Sequence, residues 1–348
     1  MESIAIRKLY TLSEEYNPIY TDSLGRCRFW NSKNTDIQSP VVSDHLYKSG
    51  FRPVWPNGKK FAVCITHDID FLFSKNSLKH SIANIICKPT PSSFEKLLHR
   101  RFKDERYRIE RLIDYFLEKE IRTSFYFLSL KDTDTDFNYY LDEIQDSLKK
   151  LIDNGFEIGL HGGLNTAFQN EALMKQEKNL LEKTIRKEVS GYRSQWLRFS
   201  LPETIHHLEK NDFIYDTTLA YPDMPGFRNG MCYPFNILIK DQTEFRSLVE
   251  LPLNFMDVTG SSYLSIGMVD YQKMAIDMID KVEACNGVFT ILWHNNNFQG
   301  EIFQLMDQII DYLVKKDVWF GTSSEIVSWW KNSNLQNQNE ILRNSLKI

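Results

Sequence analysis

Cysteine is scarce and poorly placed for cross-linking. Cys27, Cys64, Cys87, Cys232 and Cys285 are odd in number, widely scattered and include no C-x-x-C pair, so neither a disulfide framework nor a thiolate zinc site is expected. Cys64 lies inside an apolar run and reads as a small core residue. No stretch approaches the ~20 apolar residues of a membrane span. The opening Met-Glu-Ser-Ile-Ala-Ile-Arg-Lys has no apolar run of signal-peptide length. A cytoplasmic, reduced protein is the simplest expectation. Neither sign of charge dominates: 42 basic and 46 acidic residues leave a net charge of −4, which gives no general attraction for nucleic acid. No internal repeat is evident.

What is abundant is aromatic and apolar. The chain holds 23 Phe, 16 Tyr and 7 Trp, and 42% of it is hydrophobic, enough for a large core and for aromatic-lined grooves. At 348 residues the length alone suggests about two domains, but α/β barrels of this size fold as one. From Phe61 onward a rhythm emerges. Strand-like runs occur at 61–66, 123–129, 156–160, 189–193, 213–219, 248–253, 288–293 and 318–321. Between most of them lie helical stripes: Ile109, Leu112, Ile113, Phe116 and Leu117; Leu141, Ile144, Leu148, Leu151 and Ile152; Met274, Met278, Ile279 and Val282; and, less cleanly, Leu173 to Thr184. Gly155 and Gly287, each after an Asn, are expected to supply the left-handed residue that ends a helix. Ser200-Leu-Pro-Glu203 reads as a capping box. Such alternation predicts an α/β protein with a mainly parallel sheet or barrel.

The flanks are less regular. Residues 1–57 form a lead-in, with Ile4 to Leu12 and Cys27 to Trp30 as candidate strands. The barrel would occupy 58–332, and the Asn- and Gln-rich tail, 333–348, is expected to fray. Residues 74–104 are basic with a helical apolar stripe; they read as a surface insertion, or more sharply as a lid over an anionic or lipid-linked substrate. Asp132 to Asp136 reads as a solvated loop, lacking the Gly and terminal Glu of a calcium loop.

Chemistry concentrates where strands end. Phe61 to Ile65 runs into Thr66, His67, Asp68 and Asp70, and such groups do not belong in an apolar core without partners. Alternation puts Asp68 and Asp70 on one side and Ile69 on the other; an acidic helix cap is the plainer alternative. The run at 156–160 ends in His161-Gly-Gly-Leu-Asn165, that at 189–193 in Tyr192 and Arg193 followed by Trp196 and Arg198, and that at 288–293 in His294 and three Asn. In a β/α barrel such groups converge at the C-terminal face. Carboxylate oxygen and imidazole nitrogen together suit a divalent ion with positions left for water and substrate. His80, His99, His206 and His207 lie in helical or insertion stretches and read as structural.

These motifs resemble the polysaccharide deacetylases, the NodB-homology or family 4 carbohydrate esterases, from about Phe61 to Trp330. Thr66-His67-Asp68-Ile69-Asp70 is similar to the family's first motif, His161 to Asn165 to the second, Gly191 to Phe199 to the third and Leu292-Trp293-His294 to the last. Tyr215 to Leu219, Gly226 to Arg228 and Cys232 to Phe235 resemble the stretch between, in the subgroup near bacterial surface-polysaccharide enzymes. The resemblance implies a distorted (β/α)7-8 barrel that hydrolyses N- or O-acetyl groups on a sugar or surface-polysaccharide precursor. It implies Asp68 as general base, His294 as general acid, and Arg193 holding Asp68 charged and oriented. It implies the backbone N–H near Trp196 as oxyanion donor, and Asp70, His161 and Asn165 as ligands to a divalent metal, zinc first, with nickel or cobalt as alternatives. His67, Arg198, Asp216, Arg228 and Trp293 would contact an acetylated carbohydrate. The family's second motif usually ends in a second His where this chain has Asn165, which predicts weaker metal binding with catalysis retained. Two other readings stay open: a decayed barrel that only binds carbohydrate, and hydrolysis of a non-sugar amide.

Overall fold

The computed structural model describes residues 2–34, 36–72, 106–131 and 136–347. The expectations for the 74–104 insertion and for positions 132–135 of the acidic loop lie outside the described residues.

Among the described residues, ten strands form one curved sheet: β1 (Phe61–Ile69), β2 (Ser124–Phe127), β3 (Glu157–Gly162), β4 (Gly191–Ser194), β5 (Tyr215–Asp216), β6 (Phe235–Leu238), β7 (Phe245–Glu250), β8 (Phe255–Met256), β9 (Val288–Leu292) and β10 (Val318–Phe320). Their order is β6-β7-β5-β4-β3-β2-β1-β9-β8, with β10 beside the start of β1. Every pairing is parallel except β6 with β7. The parallel core follows from helices inserted between strands: α3 (Arg106–Glu118), α4 (Gln145–Asp153), α5 (Glu171–Ile185), α6 (Glu203–Lys210), α7 (Met268–Ala284) and α8 (Gly300–Leu313) cross over to return the chain. The two ends of the strand path, β6 and β8, do not pair, so the result is a distorted, open β/α barrel. No described helix is long and apolar enough to cross a membrane.

Strand β1 is central and buried along its whole length. It runs four residues beyond the apolar stretch Phe61 to Ile65, so Asp68 lies within the strand and Asp70 just past it. That extension is possible because β2 pairs with Thr66 to Ile69 while β9 pairs with Ala62 to Thr66; hydrogen bonding is satisfied by the flanking strands in relay.

The interior is packed by tyrosines over glycines. Tyr126 of β2 is in register with Gly159 of β3, and Tyr215 of β5 with Gly191 of β4. A Cβ on Gly159 would lie 2.5 Å from the Tyr126 ring, and one on Gly191 would lie 2.0 Å from the Tyr215 hydroxyl. The two hydroxyls meet at 2.9 Å; Tyr126 also pairs with Ser323, and Tyr215 donates to Glu157, so these large side chains are buried without stranding their polar ends.

The flanks depart from expectation. Ile4 to Tyr10 belong to helix α1 (Glu2–Tyr10), not a strand; Leu9 and Tyr10 face the core three and four residues after Ile6, and Ile6 itself packs there too, a helical spacing. Helix α2 (Val41–Lys48) follows, while Phe29–Asn31 is a single 3₁₀ turn. The tail does not fray: after α9 (Ser323–Ser333), α10 (Leu335–Leu346) buries Gln338, Leu342 and Leu346. Gly155 is left-handed as expected, but at the end of α7 that conformation falls on Asn286, and Gly287 instead makes room for Cys232, whose sulfur would stand 2.5 Å from a Cβ there. Ser200 does bond Glu203 side chain to side chain, yet α6 begins at Glu203, so the box lies ahead of the helix rather than capping it. Strands β6 and β8 were not anticipated.

Gly191→Ala is expected to destabilise the protein by about 1–3 kcal/mol through overpacking against Tyr215. Gly267→Ala, where no atom lies within 4 Å of the new methyl, serves as the control. Urea midpoints of the two variants check this.

Candidate active site

Parity along β1 decides which side chains meet. Thr66, Asp68 and Asp70 fall on one side of the strand and His67 on the other. His67 packs against Phe116 of α3 and Phe125 of β2, with ring centroids 5.1 and 4.7 Å away, and its Nδ1 pairs with the Trp293 carbonyl at 3.0 Å. Burial pushes its pKa down to about 3, so it is a neutral core residue behind the site.

On the other side, Arg193 of β4 is fully buried and each of its three guanidinium nitrogens has an acceptor. Nη1 donates to Thr66 Oγ1 at 2.8 Å and Asp68 Oδ1 at 3.2 Å. Nε donates to the Thr217 carbonyl at 3.0 Å, and Nη2 to Thr217 Oγ1 at 3.1 Å. Its face lies 4.8 Å from the Tyr126 ring centroid. Register pairs Arg193 with His161 of β3, and the Arg193 carbonyl accepts from His161 Nδ1 at 2.9 Å. His161 Nε2 is thereby aimed at the carboxylates, 3.4 Å from Asp70 Oδ1 and 3.6 Å from Asp68 Oδ2. Burial opposes a charged His161, but the two carboxylates outweigh it and raise its pKa. Burial likewise opposes a charged Asp70, and the facing His161 and His294 hold it below the usual carboxylate range.

His294 follows β9, whose neighbour in the sheet is β8. Just past β8, buried Asp257 accepts from the His294 backbone N–H at 2.9 Å and from Asn297 at 2.7 Å through Oδ2, and pairs with His294 Nδ1 at 2.7 Å through Oδ1. Against the cost of burial, Asp257 first and then Asp70 and Asp68 push the His294 pKa up to about 10. Its Nε2 points back toward Asp70 Oδ2, 3.9 Å away. Asp68, Asp70, His161, His294, Gln195 and Trp196 thus line one cavity of about 250 Å³. A larger cavity of about 1050 Å³ opens beside α1 and holds none of these groups.

No protein-family model and no curated protein matches the sequence. Solved structures do match in three dimensions. A Mycobacterium smegmatis protein named as a candidate polysaccharide deacetylase superposes with a TM-score of 0.58 at 18% identity, over 82% of this chain and 95% of that one. A Pseudomonas aeruginosa protein, likewise named as a candidate polysaccharide deacetylase, gives 0.56 at 14% identity, over 81% and 95%. The chain carries the polysaccharide deacetylase fold. The PuuE allantoinase shares it too, at 0.56 and 16% identity over 82% and 96%.

Within this deacetylase fold, a metal's place can be tested against the donors. Two atoms bound to zinc tetrahedrally at about 2.0–2.2 Å stand roughly 3.3–3.6 Å apart, and Asp70 Oδ1 and His161 Nε2 are 3.4 Å apart. Asp70 Oδ1 is buried and makes no hydrogen bond among the described residues, so a cation would satisfy it. The donor pair fits an ion. Among the described residues, no set of three His, Cys, Asp or Glu side chains is arranged to hold one.

Asn165 is not beside this pair: it is exposed in the loop after β3 and is not among the residues lining the cavity. Gln195 is the buried amide of the cavity wall, with an Oε1 that makes no hydrogen bond among the described residues. Trp196 and Leu197, immediately after β4, both sit at left-handed φ (+60° and +56°), a conformation costly for such side chains and found where backbone is set for function. The Trp196 ring is exposed at the mouth and its Nε1 donates to Asp136 at 2.7 Å.

The candidate substrate contacts are placed elsewhere. Trp293 is fully buried in the core. Arg198 donates to the carbonyls of Leu24 and Leu164, and Arg228 is paired with Glu15 beneath the lead-in; both fasten the lead-in to the barrel. Asp216 of β5 is in register with Glu250 of β7. Both are buried, and Thr218 donates to Asp216 at 2.6 Å. Asp257 was not anticipated: it follows β8, whose two residues are too few for a periodicity to register.

Burial raises both members of the Asp216–Glu250 pair, Asp216 to about 6, and the Asp216 charge pushes Glu250 up further. A carboxyl raised on folding contributes stability that is fully present below its unfolded value near ~4 and is lost as pH rises through the folded value. The melting temperature is therefore expected to fall as pH rises through about 6. Glu250→Gln, which removes one of the two raised carboxyls, should flatten that slope; melting curves over this range check it.

Proposed function

We propose that this chain is a metal-dependent deacetylase that hydrolyses an N- or O-acetyl group on a sugar, with a surface-polysaccharide precursor as the natural class of substrate. One observation carries the reading: a carboxylate and an imidazole at ion-sharing distance stand between a second carboxylate held by Arg193 and an imidazole held by Asp257, all in one cavity. A pure binder has no need of this set.

Asp70 and His161 would hold the ion, zinc first and nickel or cobalt as alternatives, with Gln195 rather than Asn165 as the amide available on the same wall. When bound, the ion supplies Lewis acidity toward the acetyl carbonyl and toward water. Asp68, fixed by Arg193, takes the proton of the attacking water. The backbone N–H at Trp196 donates to the oxyanion. His294, kept as imidazolium by Asp257, gives its proton to the departing nitrogen or oxygen.

The fold likeness to an allantoinase favours one second reading, hydrolysis of a non-sugar amide by the same groups. Acetate release from a panel of acetylated sugars, against release of amine from cyclic and linear ureides, separates the two.

Asp68→Asn is expected to lower kcat by at least ~10² with little change in metal content, as loss of a general base requires; equal acetate release by the two proteins would sink the proposal. Calorimetric titration of the stripped protein with zinc, nickel and cobalt should show binding lost in His161→Ala, weakened in Gln195→Ala and unchanged in Asn165→Ala. Because Asp257 raises the His294 pKa, Asp257→Asn should move the alkaline limb of the kcat/KM profile to lower pH, whereas a purely structural role would scale the profile without moving it.

A further inference from the structure

Part of the lead-in reaches the catalytic cavity. Between Thr21 and Cys27, which form an antiparallel bridge, the chain doubles back on itself. The Asp22 N–H donates to the Arg26 carbonyl and the Gly25 N–H to the Asp22 carbonyl, each at 2.9 Å. Asp22 Oδ1 accepts the backbone N–H groups of Leu24 and Arg26, each at 3.0 Å. Gly25, at φ +76°, lets the turn close on Phe168, whose ring would stand 2.9 Å from a Cβ there. Arg198 fastens this finger to the barrel, donating from Nε to the Leu24 carbonyl at 2.6 Å and from Nη1 to the Leu164 carbonyl beyond β3.

What the finger delivers is Arg26. Its side chain lines the same cavity as Asp68, Asp70, His161 and His294. Nε and Nη2 both engage Asp22 Oδ2 at 2.8 Å. Nη1 turns the other way and donates to the Tyr263 hydroxyl at 3.2 Å. The guanidinium lies 5.6 Å from the Trp196 ring centroid, so Arg26 stands between two aromatic side chains, one from the loop after β4 and one from the helical turn Gly260–Leu264 after β8. Asp22 already matches its charge, and Asp136 and Asp70 stand at the same mouth. With its charge so matched, Arg26 offers a phosphate or carboxylate little net attraction. A neutral pyranose needs none: aromatic faces take its C–H surface and a planar guanidinium edge donates to its hydroxyls.

We propose that Arg26, with Trp196 and Tyr263, forms a subsite for a neutral sugar ring next to the acetylated one. The inference rests on the deacetylase reading for its place in a reaction, but binding alone tests it. Chitotetraose, a neutral tetramer of N-acetylglucosamine, and tetragalacturonate, its anionic counterpart in length, are titrated into the metal-stripped full chain by calorimetry. Chitotetraose is expected to bind and tetragalacturonate not to. Arg26→Ala should weaken chitotetraose binding roughly ten-fold, the value of one hydrogen bond from a charged donor. Arg26→Lys keeps the Asp22 ion pair, and so the closed finger, but lacks the planar fork, and should recover little of the affinity. In turnover, Arg26→Ala should raise KM with kcat held within roughly two-fold. Unchanged affinity in Arg26→Ala, full recovery in Arg26→Lys, preference for the uronide, or failure of the wild type to bind chitotetraose would each overturn the subsite. If the sugar binds as expected but wild type and Asp68→Asn release acetate equally slowly, the deacetylase reading fails and the subsite stands.

Discussion

The site depends on one buried cation. Arg193 has no solvent exposure, and a guanidinium in that position is tolerable only if its nitrogens find acceptors and its charge is matched. Asp68, Thr66 and both oxygens of Thr217 meet that demand, and in doing so they tie β1, β4 and the end of β5 to a single point. The same residue fixes His161 through its own carbonyl. One arginine therefore sets the direction of the candidate base with its side chain and of the candidate ligand with its backbone. The pair is a poor source of net stability, since desolvation consumes much of the attraction. Its value is geometric, because few other arrangements would leave that charge matched.

Such polarity inside a barrel needs space, and the packing explains where it comes from. Each tyrosine laid over a glycine of the next strand occupies volume that two ordinary side chains would have shared. The Tyr126 ring both covers Gly159 and forms the floor under the Arg193 guanidinium. The hydroxyl relay from Tyr126 through Tyr215 to Glu157 closes the polar accounting on the side away from the cavity. The interior is thus divided into a hydrogen-bonded floor and an open mouth, and orphaned acceptors such as Asp70 Oδ1 and Gln195 Oε1 lie at the mouth.

Much of this was legible in the sequence because strand ends are where apolar runs stop, and His161, Arg193 and His294 each follow a run long enough to read. Alternation along Phe61 to Asp70 also separates His67 from Asp68, so the core position of His67 could have been read from the parity that paired the two aspartates. Other features were hidden for identifiable reasons. A two-residue strand such as β8 carries no period, so Asp257 had no visible support. Asn165 holds its place in a motif, but a loop need not turn inward when its residue is a neutral amide, and spacing cannot report that. Arg26 lies in a stretch with no periodicity at all; its position comes from a hairpin turn and from Arg198, a contact between residues 24 and 198 that no local pattern encodes. The N-terminal helix was misread because Ile4 to Leu12 is too short a span for its apolar residues to distinguish a period of two from one of 3.6.

The two site histidines show how the same side chain is given different work. In each, Nδ1 is committed to a partner and Nε2 faces the carboxylates. For His161 the Nδ1 partner is a peptide carbonyl, which fixes the tautomer but adds no full charge; what raises its proton affinity is Asp68 and Asp70 across the gap, the groups whose charge a shared cation would offset. For His294 the Nδ1 partner is itself a buried carboxylate, behind the ring and not among the residues lining the cavity, so the largest charge that favours the imidazolium does not depend on what occupies the space in front. Either partner fixes the tautomer and leaves Nε2 facing the cavity, but the carboxylate behind His294 adds a full charge that raises its proton affinity. That added charge is the physical basis for proposing His294, rather than His161, as the proton donor.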